Sequence, residues 1–356
     1  MSNSSTIAPA EGMTVGLDVG DREASAAMVN AKGKVMEEVR LKVTEPALRA
    51  YFSRKPRCRV VMEAGTHSPW VKRLLVSLRH EVMVLNPHRV RLIAESRQKT
   101  DRIDALTLAE LGRIGTHLAQ NVAHRDEQTQ LDLALLRSRA IAVQTRTKLI
   151  NHIRSSVKTA GGRIGKCRAE TFHRRAQQDI PETLQDALLP LVLQVADLSH
   201  HVQAYDRKIA ELIAARYPEA LRLMQVPGVG PVTALTFVLT LEWPGRFRKN
   251  RQVGKYLGLA PGIRQSGRRR QFLGITREGD RELRRLMLQA SHSILVHASA
   301  DGDLRRWALA KGAANKVAKK KAAVALARKL AVLMLALWRS GEEYRPFRVP
   351  TEEVRA

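Results

Sequence analysis

Short apolar runs separated by turn residues fill the first third of the chain, and long charged helical periodicities replace them afterwards. Thr14-Val-Gly-Leu-Asp-Val-Gly20 reads as a strand closed by a glycine turn, and Ala24 to Asn30 as a second strand. Ala31-Lys-Gly-Lys34 is a turn, and Val35 to Leu41 a third strand. Pro46 opens a short helix, Arg59-Val-Val-Met-Glu63 forms a fourth strand, and Ser68 to Arg79 a second helix. Glu81-Val-Met-Val-Leu85 is a fifth strand, stopped by Asn86-Pro87. A helix from near Thr100 carries Ile103, Leu106, Leu108 and Leu111 on one stripe. This mixture predicts an α/β domain over 13–120.

From Asp126 to Lys158 the periodicity predicts one long helix with an intermittent seam of Leu131, Leu135, Ile141, Leu149 and Ile153, broken at Gly161-Gly162. Leu184 to Arg216 predicts a second, with Leu191, Val195, Leu198, Val202, Tyr205, Ile209 and Leu212 on its seam. Two such helices around a basic loop imply an antiparallel hairpin or a subunit-pairing, coiled-coil arm over 121–220. Packing of each helix on its own domain is the alternative. Residues 221–340 read as a mainly helical domain with glycine-rich and arginine-rich connections, and 341–356 as a tail. The fold class expected is α/β followed by α.

Charge then narrows the partner. The 356 residues hold 61 Lys and Arg against 34 Asp and Glu, a formal charge of +27. Each phosphate neutralised by such a surface releases condensed counterions, so nucleic acid is the first candidate and an anionic membrane surface the second. Solubility alone needs far less. Met1 to Gly12 lacks the basic start and apolar stretch of a signal peptide, and the apolar run Leu330 to Trp338 is too short to cross a bilayer. Cys58 and Cys167 have no metal-type spacing, which fits a reducing cytoplasm. Aromatic residues make up only 4% of the chain, so stacking on bases is not expected to be the main recognition mode.

Four carboxylates carry the candidate chemistry. Asp18 ends the first strand and Glu63 the fourth, and neighbouring strand ends can meet over one sheet edge. Asp101 and Asp104, three apart on a helix, share a face. Hard oxygen donors suit Mg²⁺ or Mn²⁺. Paired cations about 3.5–4 Å apart would activate an attacking oxygen and stabilise a leaving one in phosphoryl transfer. Three acids also have a plain reading: Asp18 could shape its glycine turn, and Asp101 and Asp104 could serve a helix N-terminus, whereas Glu63 follows three apolar residues where an unpaired charge is costly. The combination favours a site.

In the second half, Val226-Pro-Gly-Val-Gly230 resembles the turn of a helix–hairpin–helix element, whose Gly228 and Gly230 would let backbone N–H groups approach phosphate. Gly262-Ile-Arg-Gln-Ser-Gly-Arg-Arg-Arg270 places Ser266 in an exposed cationic loop. On the residues alone Ser266 is a loop serine; Ser291, Ser293 and Ser299 are weaker candidates on helices. The candidate nucleic-acid contacts are Lys99, Arg102, Gly228, Gly230, Arg264, Arg268, Arg269, Arg270, Lys316, Lys319 and Lys320.

Gly16-Leu-Asp-Val-Gly20, Val61-Met-Glu-Ala-Gly-Thr66, Asn86-Pro87 and Lys99-Thr-Asp-Arg-Ile-Asp-Ala105 closely resemble the N-terminal domain of DEDD transposases of the insertion-sequence-110 family. The resemblance implies a RuvC-like, RNase H-like fold with Asp18, Glu63, Asp101 and Asp104 as its acidic tetrad. Val226 to Leu295 is similar to the family's second transposase domain, through Gly258-Leu-Ala-Pro261, Ser266-Gly267 and Gly279-Asp-Arg-Glu-Leu-Arg284. That context implies Ser266 as nucleophile, although an arginine run stands where the family's loop is richer in glycine. The resemblance further implies donor and target DNA, a bridge-type noncoding RNA pairing with both, and a homo-oligomer (dimer or tetramer) whose acids and serine come from different protomers. Two rival functions remain: a junction nuclease using the same acids with water, and a non-catalytic nucleic-acid-binding protein.

Overall fold

The computed structural model describes residues 12–87, 90, 101–114, 121–266, 269–297 and 301–347, and divides the chain into compact units at 1–126 and 127–356. In the first unit, β1 (Thr14–Val19), β2 (Glu23–Val29) and β3 (Val35–Lys42) form an antiparallel meander. The β2–β3 turn is set by Asn30, whose side-chain oxygen accepts from Lys32 N and Lys34 N, both at 3.0 Å. Helix α1 (Glu45–Phe52) leads to β4 (Arg59–Glu63), then α2 (Ser68–Ser77) to β5 (Glu81–Leu85). Both later strands run parallel to β1, giving the sheet order β3-β2-β1-β4-β5. Helix α3 spans Asp101–Ile114.

Alternation decides which face each side chain serves. Val15 and Leu17 of β1 and Val60 and Met62 of β4 join Leu48, Phe52, Val71 and Leu75 of α1 and α2 in one core. Val61, Met83 and Leu85 turn the other way and pack with Leu108 and Leu111 of α3. Edge strand β3 keeps Glu37, Glu38 and Arg40 near water, which discourages further strand pairing.

The second unit starts with α4 (Glu127–Thr159), passes through α5 (Phe172–Asp179) and returns along α6 (Glu182–Arg216). The two long helices pair with each other as an antiparallel hairpin. Ile153, Val157, Phe172, Leu188 and Val192 fill its far end, while Leu133, Leu136, Ile209 and Ile213 join the C-terminal core at its near end. Between these lie polar pairs: Asp132 accepts from Arg216 (2.8 Å) and Tyr217 (2.6 Å), Arg139 donates to Asp206 (2.5 Å), and Arg146 to Ser199 (3.2 Å). The expected α4 seam is therefore corrected. Leu131 and Ile141 point outward at 60% and 64% exposure, and Thr129, Asp132, Ala140 and Arg146 occupy the buried stripe. Hydrophobicity alone could not show that stripe, because its polar members are paired within the hairpin.

The C-terminal part places α7 (Pro218–Leu223), α8 (Pro231–Leu241), α9 (Gln252–Tyr256), α10 (Arg281–Val296), α11 (Asp303–Gly312) and α12 (Lys316–Ser340) around one core. Helix α8 is buried from Thr233 to Leu241, and α12 contributes an Ala- and Leu-rich face including Ala323, Leu326, Ala327 and Leu330. The mainly helical expectation holds with one addition, a hairpin of β6 (Pro261–Ser266) and β7 (Arg269–Ile275). Tyr344 N donates to Gln225 and Asp303 N to Pro346 O, so the start of the expected tail packs back onto this unit. Among the described residues, no helix is long and apolar enough to cross a membrane.

Candidate active site

Backbone register brings Asp18 and Glu63 to one end of one sheet face, and α3 crosses that face. Leu17 of β1 pairs with Met62 of β4 in parallel register. The next positions, Asp18 and Glu63, are thus cross-strand neighbours at the strand ends, on the same side as Gly16 and Val61. Helix α3 lies on that side. A Cβ on Gly16 would sit 1.9 Å from Ala105 O and 2.4 Å from Ala109 N, and one on Gly112 would sit 2.2 Å from Val61 Cγ2. The helix therefore passes Thr14 and Val61 near its C-terminus and Gly16 one to two turns earlier. Its first turn, with Asp101 and Asp104, reaches the level of Asp18 and Glu63.

Asp18, Glu63 and Asp104 are half-buried and Asp101 is exposed. All four offer hard oxygen donors, which fits a magnesium-like cation. Among the described residues, no three His, Cys, Asp or Glu side chains are drawn together as a metal-ligand set. Register makes Asp18 and Glu63 neighbours, and helix packing runs the first turn of α3 toward the same sheet end.

The supports of this edge are specific. Ser68 Oγ accepts from Gly65 N (3.0 Å), donates to Gly65 O (2.8 Å) and lies 2.9 Å from His124 Nε2, fixing the loop after Glu63. Burial first, then Lys72, Arg73 and Arg125, holds the His124 imidazole below its ordinary value. Arg102, expected to contact nucleic acid, shares its Nε–H between the two carboxylate oxygens of Glu38 on β3 (2.8 and 2.9 Å), which holds its guanidinium strongly protonated. A phosphate would have to compete with that carboxylate. Lys99 lies outside the described residues.

Ser266 stands in a different setting from the loop expected for it. It is the last residue of β6, exposed, and its Cα partner is Arg269 at the start of β7. The hairpin root is clamped by the two glycine motifs. Gly258 (φ +65°) and Gly279 (φ +78°) bring their backbones together so closely that a Cβ on Gly279 would lie 2.0 Å from Tyr256 O. Thr276 N donates to Ala260 O and Arg277 N to Gly258 O, while Arg284 donates to Leu257 O and Glu278 O. Asp280 caps α10 by accepting from Leu283 N at 2.8 Å. The motifs thus aim the hairpin that carries the serine.

Arg264 and Arg269 are exposed on this hairpin. Gly267, Arg268 and the Arg270 side chain lie outside the described residues. Ser291 is fully buried and donates to Met287 O, so it presents no nucleophile; Ser293 is half-buried beside Gly228, and Ser299 lies outside the described residues. Gly228 (φ +79°) meets Ala290 O, so its missing side chain serves packing on α10, whereas Gly230 has open space. Lys316, Lys319 and Lys320 are exposed at the start of α12. Sequence reasoning missed the hairpin, whose signal was the Gly-containing pair Gly267-Arg268 between Pro261–Ser266 and Arg269–Ile275. It also missed Trp307 with its ring of lysines.

An α/β unit with acids at one sheet edge, followed by a basic helical unit with an exposed serine hairpin, matches one class of proteins in both halves. Residues 15–160 match the DEDD transposase profile of the IS110 type, and residues 220–314 match the profile described as transposase IS116/IS110/IS902 family. The y4pF/y4sB protein of Sinorhizobium fredii, provisionally named a transposase, is 30% identical over 86% of this chain and 79% of its own. The transposase for insertion sequence element IS1111A of Coxiella burnetii is 27% identical over 93% of this chain and 91% of its own. The transposase for IS1328 of Yersinia enterocolitica is 26% identical over 89% and 94%. The chain belongs to the IS110 family of transposases.

Proposed function

We propose that this transposase cuts and rejoins DNA through a divalent-cation site on Asp18, Glu63, Asp101 and Asp104, with Ser266 as nucleophile. The observation that carries the reading is the register of β1 on β4, with α3 bringing two further acids to the same edge. The sheet order β3-β2-β1-β4-β5, with only its first three strands antiparallel, supports an RNase H-like assignment. Bound there, Mg²⁺ or Mn²⁺ would supply Lewis-acid stabilisation of charge on the phosphate oxygens.

The protein's own residues do the rest. Ser266 Oγ attacks a backbone phosphorus; an Oγ–P bond forms as one sugar–oxygen bond to phosphorus breaks. The hydroxyl proton leaves Oγ, and the departing sugar oxygen ends protonated. The phosphoserine link keeps the ester energy, so a second sugar hydroxyl can displace the serine and rejoin DNA without ATP. Arg264 and Arg269 beside Ser266 would hold the phosphate and spread its developing charge.

Family membership supports a bridge-type RNA that reads donor and target DNA by base pairing, with the protein supplying backbone affinity. The +27 charge suits that division. The exposed Leu131, Ile141 and Leu193 on the long hairpin support subunit pairing through this arm. The test is strand cutting of labelled donor DNA with the element's RNA and Mg²⁺. Asp18→Asn and Glu63→Gln are expected to abolish cut products while binding DNA as well as the parent. Unchanged products in both variants would overturn the metal-site assignment.

A further inference from the structure

The C-terminal unit contains a cavity of about 1230 Å³ that the proposed chemistry does not use. Its floor is apolar, including Leu273 of β7, Trp307 of α11 and Val332 of α12. Eight of its lining side chains are Lys or Arg, and Asp303 is the one acid among them. Lys329 Nζ lies 4.4 Å and Lys311 Nζ 5.7 Å from the centre of the Trp307 ring. Trp307 is half-buried and Leu273 is 50% exposed, so a base can reach this floor by taking the place of a lysine ammonium over the ring, which then turns to the phosphate.

The combination selects the occupant's chemistry. Phosphates alone would be served by the cationic rim and would leave the apolar floor unused. A duplex keeps its base faces stacked inside and also leaves that floor unused. An unpaired strand presents both phosphates and flat apolar base faces, the pair of surfaces this groove complements. The wall at Leu273 also belongs to the hairpin that carries Ser266. Arg269, the partner of Ser266, is four strand positions from Leu273, about 13 Å along the strand at ~3.3 Å per residue. That is within reach of a few nucleotides.

We infer that this groove holds an unpaired DNA strand, with a base against Trp307 and Leu273 and its phosphates on Lys311, Lys320 and Lys329. The inference rests on the reading of the protein as a DNA-cutting transposase, and it gives the groove the task of gripping unpaired DNA beside the serine hairpin. The low aromatic content does not oppose it, because a single well-placed ring suffices for one base.

Binding of a fluorescent 15-nucleotide oligodeoxythymidylate to the full chain in EDTA tests this by anisotropy. Comparison probes are a duplex, an abasic strand and an oligouridylate of equal length. Trp307→Ala is expected to weaken oligodeoxythymidylate about 5- to 100-fold, the range of a lost base stack, with the abasic strand unchanged. Leu273→Ser, at a position 50% exposed, removes the apolar contact without adding charge and should weaken it in the same direction, again with the abasic strand unchanged. The inference is overturned if both variants bind as the parent does, if all probes weaken equally, or if only oligouridylate shows the effect. Because no divalent cation is present, failure of DNA cutting leaves this result standing, and failure here leaves the cutting assay untouched.

Discussion

At the residue scale, Gly16 shows how one position joins fold to site. Its α-hydrogen faces Ala105 O and Ala109 N, at distances where a methyl cannot fit. Gly16→Ala is expected to push α3 off the sheet and destabilise the first unit by about 1–3 kcal/mol, the usual cost of overpacking. Urea unfolding followed by a probe in that unit would show it, and an unchanged midpoint would contradict the close approach. His124 gives a pH test. Its folded value is depressed below 6.5, so unfolding takes up a proton once pH falls through 6.5. The stability it contributes is complete above that pH and declines as pH drops toward the folded value. His124→Gln should flatten this decline between about pH 7 and pH 5; equal slopes in both proteins would count against it. Cys58 is buried, 3.4 Å from His80 Nδ1, and desolvation pushes its thiol up to about 11. Alkylation of the folded protein at neutral pH should therefore mark Cys167 and spare Cys58, as peptide mass spectrometry would show.

At the element scale, the strands and the two long helices were legible because each rests on a single period. Val15 and Leu17 alternate with Gly16 and Asp18, and that alternation is what places Asp18 on the α3 side. Two features were not legible for physical reasons. The buried stripe of α4 includes Asp132 and Arg146, whose partners Ser199, Arg216 and Tyr217 lie on α6 and just after it, 53 to 85 positions away in sequence. The β6–β7 hairpin is exposed along most of β6, so no inward-facing apolar set announces it. Its order comes from Gly258 and Gly279, glycines read first as family motifs and seen now as a clamp. Asp132→Ala removes three charge-assisted hydrogen bonds at the near end of the hairpin, from Gln128, Arg216 and Tyr217. A loss of about 1.5–3 kcal/mol is expected from chemical denaturation, since Arg216 keeps partial access to water.

At the scale of the whole molecule, the proposed function gives charge and carboxylates separate tasks. The surplus of 61 basic over 34 acidic residues provides affinity without sequence, so DNA binding should fall steeply and log-linearly with salt. A salt-insensitive affinity would contradict the phosphate-based grip. Within that grip, the four acids and Ser266 are the groups that could change a covalent bond. The sequence put the acids forward through their strand-end and helix positions, and β1–β4 register sets two of them, Asp18 and Glu63, side by side. Ser266 was readable only through its motif, and the structure adds an exposed hairpin beneath it.

The most direct measurement is the fate of the DNA end. Protein, labelled donor DNA, Mg²⁺ and the element's RNA are mixed, denatured and digested, and the labelled peptide is sequenced. The account predicts a nucleotide-linked peptide bearing phosphoserine at Ser266, lost in Ser266→Ala and in Asp18→Asn. Free cut ends with no protein-linked nucleotide would mean that water is the nucleophile and would contradict the recombinase mechanism.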